Sequence, residues 1–182
     1  MFGPILRGTR VTLRPPRKED LETYLAWFAD PEVTRYQPRS TPFSPAQEEA
    51  WFTKTGEDPN SVVWAIEVDG KAVGTTGIGQ IEWLHRHGTT GITIGEKSLW
   101  RQGLASEAMA LRTRYAFREL NLHKLKTQAY MENEGSRRAL QKTGYTQAGI
   151  QRQEFYKDGR WHDVWEGELL REDWERAQGA PD

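Results

Sequence analysis

No cysteine occurs in the chain. Disulfides, thiolate-held metals and a cysteine nucleophile are thereby excluded. Nor does one sign of charge prevail: 25 Lys and Arg face 26 Asp and Glu, so no global field draws the chain to nucleic acid or an anionic membrane. Long apolar runs are missing as well, and no window approaches the roughly 18 residues of a membrane span. The start, Met1-Phe2-Gly3-Pro4-Ile5-Leu6-Arg7, lacks the charged and apolar regions of a secretory signal. The expectation is a cytoplasmic protein with no metal, whose specificity lies in a local site. With 182 residues, one domain is expected over 1–182, with 177–182 as a frayed tail.

What the chain does have is tryptophan, eight in all. Buried aromatics cover roughly 150–250 Å² each, so several are expected in the core. Trp83, Trp161 and Trp165 flank polar segments and are candidates for a groove or, in the last hairpin, a homodimer interface.

Val11-Thr12-Leu13-Arg14 alternates like a strand and stops at Pro15-Pro16. Leu21, Tyr24, Leu25 and Phe28 at helical spacing predict a helix over Lys18 to Asp30. Ser44-Pro45-Ala46-Gln47 reads as a capping box opening a helix through Lys54, followed by a loop from Gly56 to Asn60. Strands are predicted over Val62 to Val68 and Ala72 to about Ile81, joined by the hairpin turn Asp69-Gly70. Glu82 to Gly88 reads as a loop. A helix ending near Leu120 buries Leu104, Ala108, Leu111 and Tyr115. A strand through Leu125 to Met131, a helix from Glu134 to Lys142 capped by Gly144, and a hairpin from Tyr145 to Leu170 turning at Asp158-Gly159 complete the order. The class is α+β, a central sheet with helices on both faces.

Residues 91–106 run from a strand through a basic, glycine-containing turn into the long helix. Such a turn aims unpaired N–H groups and a helix dipole at one point, which suits a phosphate or pyrophosphate. A P-loop would need Gly-Lys-Ser/Thr, and Gly103 is followed by Leu104. Gly74, Gly77 and Gly79 reverse the dinucleotide pattern inside a strand and read as structural. Arg101-Gln102-Gly103-Leu104-Ala105-Ser106 remains as the cradle, with Gly103 permitting close approach and Ser106 offering a hydroxyl.

From Trp100 onward the sequence resembles the GNAT superfamily of acyl-CoA-dependent N-acetyltransferases, whose pyrophosphate loop reads Gln/Arg-x-x-Gly-x-Gly/Ala. Trp100-Arg101-Gln102-Gly103-Leu104-Ala105 matches except at its first position, and Ser106-Glu107-Ala108 resembles the branch that acetylates the N-terminal amines of ribosomal proteins. The resemblance extends over Tyr115 to Lys124, Asn133-Glu134-Gly135-Ser136, Lys142 to Tyr145 and Gly159 to Val164, and upstream over Leu13-Arg14 and Trp27 to Val33. It implies the GNAT fold, a mixed, mostly antiparallel sheet splayed at a bulge near Ile92 to Gly95, with acetyl-CoA as cofactor. Thr93, Ile94 and Gly95 would pair with the pantetheine amides, and residues 101 to 106 would hold the pyrophosphate. Asn133 would contact the pantetheine arm or cap the following helix. Arg138 would reach cofactor phosphates or stand in solvent.

Departures from the family pattern bear on the chemistry. The position of the tyrosine acid of many relatives is Leu140, which donates no proton. Ser136 stands where the N-terminal branch uses a serine, and either protonates the thiolate or bonds the first helical turn. Thr89 and Thr90 occupy the place of the usual strand glutamate. The hairpin glutamate of the Ser-using branch aligns with Phe155, one past Glu154, so Glu154 is a candidate base beside Glu82, His85 and His87. Without a cysteine, direct attack by the amine is the simplest route. An α-amine costs roughly 1.4 kcal/mol to deprotonate at pH 7 and a lysine about 4.6, which favours an N-terminal amine where no strong base is evident. Trp27, Tyr36 and Trp83 are the candidate acceptor contacts, and no dense acidic cluster surrounds them. The rival readings are a small-molecule amine, such as a polyamine or aminoglycoside, and an acyl-CoA-binding module without turnover.

Overall fold

Both Asp-Gly pairs turn the chain as their residue types dictate. Asp69 and Gly70 have φ of 49° and 76°, and Asp158 and Gly159 have 51° and 76°. Two successive left-handed residues define the tight hairpin turn that matches strand twist, and Asp and Gly tolerate that region best. The computed structural model describes residues 1–179. The elements are β1 (Leu6–Arg7), β2 (Thr12–Arg14), α1 (Asp20–Ala29), α2 (Pro45–Glu57), β3 (Val62–Val68), β4 (Lys71–Glu82) and β5 (His87–Ile94). They continue with α3 (Leu104–Arg118), β6 (Lys124–Tyr130), α4 (Glu134–Lys142), β7 (Thr146–Lys157), β8 (Arg160–Leu170) and α5 (Arg171–Ala177).

The strands form one eight-stranded sheet in the order β1-β2-β3-β4-β5-β6-β8-β7. Every pairing is antiparallel except β5 with β6, which α3 connects by a crossover. That parallel pairing runs from His87 opposite Lys124 to Thr90 opposite Thr127, and goes no further. Beyond it β5 stays with β4 to Ile94, and β6 stays with β8 to Tyr130. The sheet therefore opens between β5 and β6. The bulge expected near Ile92 to Gly95 falls at the end of that stretch: β4–β5 register is regular from Thr89 through Ile94. One step later Gly95 and Glu96 both donate to the Val73 carbonyl, at 2.9 and 3.1 Å, the two-against-one pattern of a bulge.

Apolar residues gather on both faces. The larger cluster joins Leu13, Trp64, Ile66, Ile78, Leu125 and Trp165 to Leu104, Ala108 and Phe117 of α3. The smaller holds Leu21, Tyr24 and Trp27 of α1 against Trp51 and Phe52 of α2. Neighbouring strand residues show the division: Ile94 packs on the first cluster, and Gly95 meets Trp27 of the second. Arg14 joins β2 to α1 through a buried bidentate pair with Asp20, at 2.7 and 2.8 Å. Burial opposes ionisation of Asp20, but the Arg14 guanidinium and the Arg17 amide outweigh it and lower the carboxyl's pKa.

Several boundaries differ from the sequence reading. Trp165 is 0% exposed and packs over Gly167, so it belongs to the core and lines no groove. The capping box at Ser44 and Gln47 forms, but α2 continues to Glu57 and takes two residues of the expected loop. The Glu82 to Gly88 loop shrinks to a turn because His87 already pairs with Glu82. Helix α5 was not expected: buried Trp174 anchors it on Phe117 at 5.5 Å. Ala177 thus ends a helix, Gln178 still donates to Trp174, and residues 180–182 of the expected tail lie outside the described residues.

Candidate functional site

The opening between β5 and β6 exposes main-chain groups, and strand parity decides which. Gly95 donates towards β4, so Thr93, two residues earlier, also directs its polar groups there. Ile92 and Ile94 direct theirs into the opening. Of the expected trio only Ile94 therefore faces the splay, and Ile92 replaces Thr93 and Gly95. The Ile94 carbonyl is already taken by the indole N–H of Trp100, at 2.8 Å. That bond accounts for an aromatic at the first position of the turn.

Side chains lock the point where the strands part. Thr90 Oγ1 bonds the Lys126 carbonyl at 3.1 Å and Thr127 Oγ1 donates to the Thr90 carbonyl at 3.2 Å. Tyr145 Oη lies 3.1 Å from Thr90 Oγ1. Beneath them the fully buried Arg112 donates to the Gly91 carbonyl at 2.8 Å and to Thr76 Oγ1 at 2.7 Å. Burial lowers the pKa of this guanidinium.

The turn after β5 is shaped for an anion. Arg101 and Gly103 both have positive φ, 61° and 83°, and Gly103 is the N-cap of α3 with no side chain capping the helix. The first-turn N–H groups of α3 have no partner within the helix, and a Cβ on Gly103 would meet nothing within 4 Å. Glu107 does not cap either; it accepts from Thr9 and Arg10 N–H at 2.6 and 2.9 Å and pins the β1–β2 turn to α3. The site thus presents N–H groups, a dipole and open space together.

Helix α4 begins at the far wall. Asn133 Oδ1 accepts from Ser136 N–H at 3.1 Å, so its side chain caps the helix. Ser136 is half-buried, and its hydroxyl makes no hydrogen bond among the described residues. Arg138 pairs with Glu134 at 2.8 Å, both well exposed, as a helix-face charge does.

The segment 31–43 crosses the mouth of the splay on the opposite face from α3. Lys97, just past β5, binds Asp30 and Glu32 at 2.8 Å each. Gln37 Nε2 donates to Thr93 Oγ1 at 3.1 Å. Lys157 Nζ donates to the carbonyls of Thr34, Gln37 and Arg39 at 2.6, 2.8 and 3.1 Å. Burial lowers the pKa of this ammonium despite Asp158. Tyr36 packs on Tyr130 at 5.8 Å, and Tyr130 on Phe155 at 5.3 Å. His162, which sequence reading did not single out, lies with Nδ1 3.0 Å from Glu132 Oε1 and Nε2 3.1 Å from the Lys157 carbonyl. Both ring nitrogens therefore face acceptors within the fold.

Two concavities flank the splay. One, about 280 Å³, lies on the sheet over Ser61, Val63, Thr75, Gly77, Thr89 and Thr93, and among the described residues no charged one lines it. The other, about 700 Å³, lies between segment 31–43, the end of α1 and the β7–β8 turn.

Other predicted residues stand elsewhere. Trp83 is 44% exposed in the β4–β5 turn, bonded to Asn60 at 3.0 Å. Four strand residues, His87 to Thr90, separate that end of β5 from the splay, about 13 Å at roughly 3.3 Å per residue. Glu82, His85 and His87 share that end, so none of the four reaches the opening. Trp27 is 9% exposed and packed on Gly95 and Tyr24, which makes it a wall under β5 and not an open contact. Glu154 is exposed on edge strand β7, past an irregularity between Gln151 and Phe155, while Phe155 faces Tyr130. Glu154 therefore does not point at the splay.

Residues 10–146 match the acetyltransferase (GNAT) domain. The chain belongs to the GNAT acetyltransferase family. The uncharacterised N-acetyltransferase YoaA of Bacillus subtilis (strain 168) is 32% identical over 166 residues, 88% of this chain and 93% of that protein. YdaF of the same strain, provisionally named a ribosomal N-acetyltransferase, is 28% identical over 118 residues, 65% and 64% of the two chains. The fold matches the spermidine N-acetyltransferase of Vibrio cholerae, solved with CoA and spermine, at a TM-score of 0.86 and 22% identity over 92% of this chain and 99% of that one. This GNAT protein is thus an N-acetyltransferase that uses acetyl-CoA. The uncapped α3 N-terminus and the open Gly103 position fit the pyrophosphate of that cofactor.

Proposed function

We propose that this acetyltransferase moves an acetyl group directly from acetyl-CoA to the α-amine at a polypeptide N-terminus. The observation that carries the reading is the lack of a carboxylate cluster beside the splay. Among the described residues, one concavity is lined by no charge and the carboxylates lining the other are Glu32, held by Lys97, and Asp158, while Glu132 just past β6 is taken by His162 and Arg160. A polyamine brings several ammonium groups and needs several carboxylates, whereas a chain end brings one.

In this reading Ile92 and Ile94 hold the pantetheine arm as an added strand, and the N–H groups of Arg101, Gln102, Gly103, Leu104, Ala105 and Ser106 hold the pyrophosphate. Acetyl-CoA supplies the thioester; the new C–N bond replaces its C–S bond while the amine loses one proton and the thiolate gains one. Ile92 N–H meets the carbonyl oxygen as charge develops on it. The half-buried Ser136 hydroxyl, free of intramolecular bonds among the described residues, passes a proton to the departing thiolate while its oxygen takes up, through water, the proton that the attacking nitrogen sheds, so the hydroxyl is restored. A substrate amine with pKa about 8 reaches the site neutral from solution at roughly 1.4 kcal/mol at pH 7, so this reading needs no strong base at the splay.

The test is a panel of N-terminal peptides, spermidine and an aminoglycoside, each with acetyl-CoA and read by mass. Peptide α-acetylation is expected, with kcat/KM rising about tenfold per pH unit below roughly pH 8 and levelling above. Spermidine turnover without peptide turnover would overturn the reading. Amide formation unchanged in Ser136→Ala would remove Ser136 alone.

A further inference from the structure

The larger concavity contains more cationic side chains than the acetyl transfer just described requires. Arg35, Arg39 and Lys157 line it, against Glu32 and Asp158. Glu32 shares the Lys97 ammonium with Asp30, at 2.8 Å each. Lys157 is spent on three carbonyls of segment 31–43. Arg35 and Arg39 are exposed and form no ion pair within 4 Å among the described residues. Each is held against an aromatic ring: the Arg39 guanidinium lies 3.7 Å from the centre of Phe43, and that of Arg35 lies 5.5 Å from Tyr36. Stacking of this kind fixes a guanidinium; Arg39 Nε donates to the Thr41 carbonyl at 3.4 Å, and the terminal N–H groups at the edge suit a carboxylate. At about 700 Å³ the cavity admits several residues of chain. It adjoins the splay through Gln37, which lines the cavity and bonds Thr93 on β5.

Resting on the N-terminal reading, we infer that the acceptor is an acidic chain end: its amine enters the splay while carboxylates a few residues along it bind Arg35 and Arg39. An extended chain advances roughly 3.3 Å per residue, so the second to fourth residues fall within about 13 Å of the amine. A polyamine meets like charge at the same place and is repelled.

The experiment compares peptides matched but for Glu, Gln or Lys at those residues, with wild type and the Arg35→Gln/Arg39→Gln double variant. Wild type should prefer the Glu peptide over the Gln peptide by about five- to tenfold in kcat/KM, and disfavour the Lys peptide. The preference should fall between about 50 and about 500 mM salt, because exposed pairs are screened. In the double variant the Glu-to-Gln ratio should approach unity. Equal rates for all three peptides in wild type at low salt, or a preference that survives in the double variant, would overturn the inference and leave N-terminal acetylation standing. Acetylation of spermidine with no peptide acetylated would overturn both. Should the double variant fail to fold, the salt dependence of wild type decides alone.

Discussion

On the α3 side of the splay the working groups are main-chain atoms in regular elements: the edge of β5, the turn at 100–103 and the first turn of α3. Across the opening, segment 31–43 contains no helix or strand and is held by side chains from distant parts of the chain. Lys97 ties its start, Thr93 its middle, and Lys157, 118 to 123 residues away, its carbonyls. The first half needs only local geometry, so one stretch of sequence suffices to build it. The second half exists only once the sheet has assembled, and each of its ties is removable singly. Cofactor and acceptor binding should therefore be separable by mutation, except where the halves touch.

Besides the Thr93 and Lys97 ties, Gly95 packs against Trp27 of α1, the helix that leads into segment 31–43, and the largest effect is expected there. A Cβ at this position would lie 2.0 Å from the Trp27 ring, between the end of β5 and α1. Gly95→Val should destabilise the protein by about 3 kcal/mol, the upper range for overpacking. Trp27→Ala/Gly95→Val should recover part of that loss, measured by denaturant unfolding. A fully tolerated Gly95→Val would mean that the halves are less closely joined than the contact implies.

Gly103→Val separates them next. Its φ of 83° strains a β-branched residue, by roughly 1–2 kcal/mol, although the added side chain has open space. The expected result is CoA affinity lower by about tenfold, measured by calorimetry, with acceptor KM little changed at saturating cofactor.

The unequal legibility of the two halves follows from the same division. Asp69-Gly70, Asp158-Gly159 and the Ser44 capping box are local signals, and each forms where its residues predict. The turn at 100–106 is likewise local, and with the spacing around it gives the family. Strand parity was less accessible: which of residues 92–95 face the splay depends on the β4 register and on the bulge at Gly95-Glu96 that ends the stretch. Trp83 and the two histidines sit next to β5 in sequence, but a strand carries them to its far end. His162 was within the quoted hairpin motif, yet its role depends on Glu132, 30 residues away. Lys157 gave no signal, because a lysine before an Asp-Gly turn looks like any solvated one.

Lys157→Met gives the smallest expected effect and the sharpest test of separability. The side chains are similar in length, so little packing should change. What disappears is an ammonium that satisfies the carbonyls of Thr34, Gln37 and Arg39. Those carbonyls border a solvent-accessible cavity and can turn to water, which limits the cost to the fold. The segment then loses its tie to the β7–β8 turn but keeps Lys97 and Thr93. Acceptor KM should rise about three- to tenfold while CoA affinity and kcat at saturation stay near wild type, since an ordering cost falls on the binding of that substrate alone. An equal loss of CoA affinity would show that segment 31–43 supports both halves and would dissolve the distinction between them.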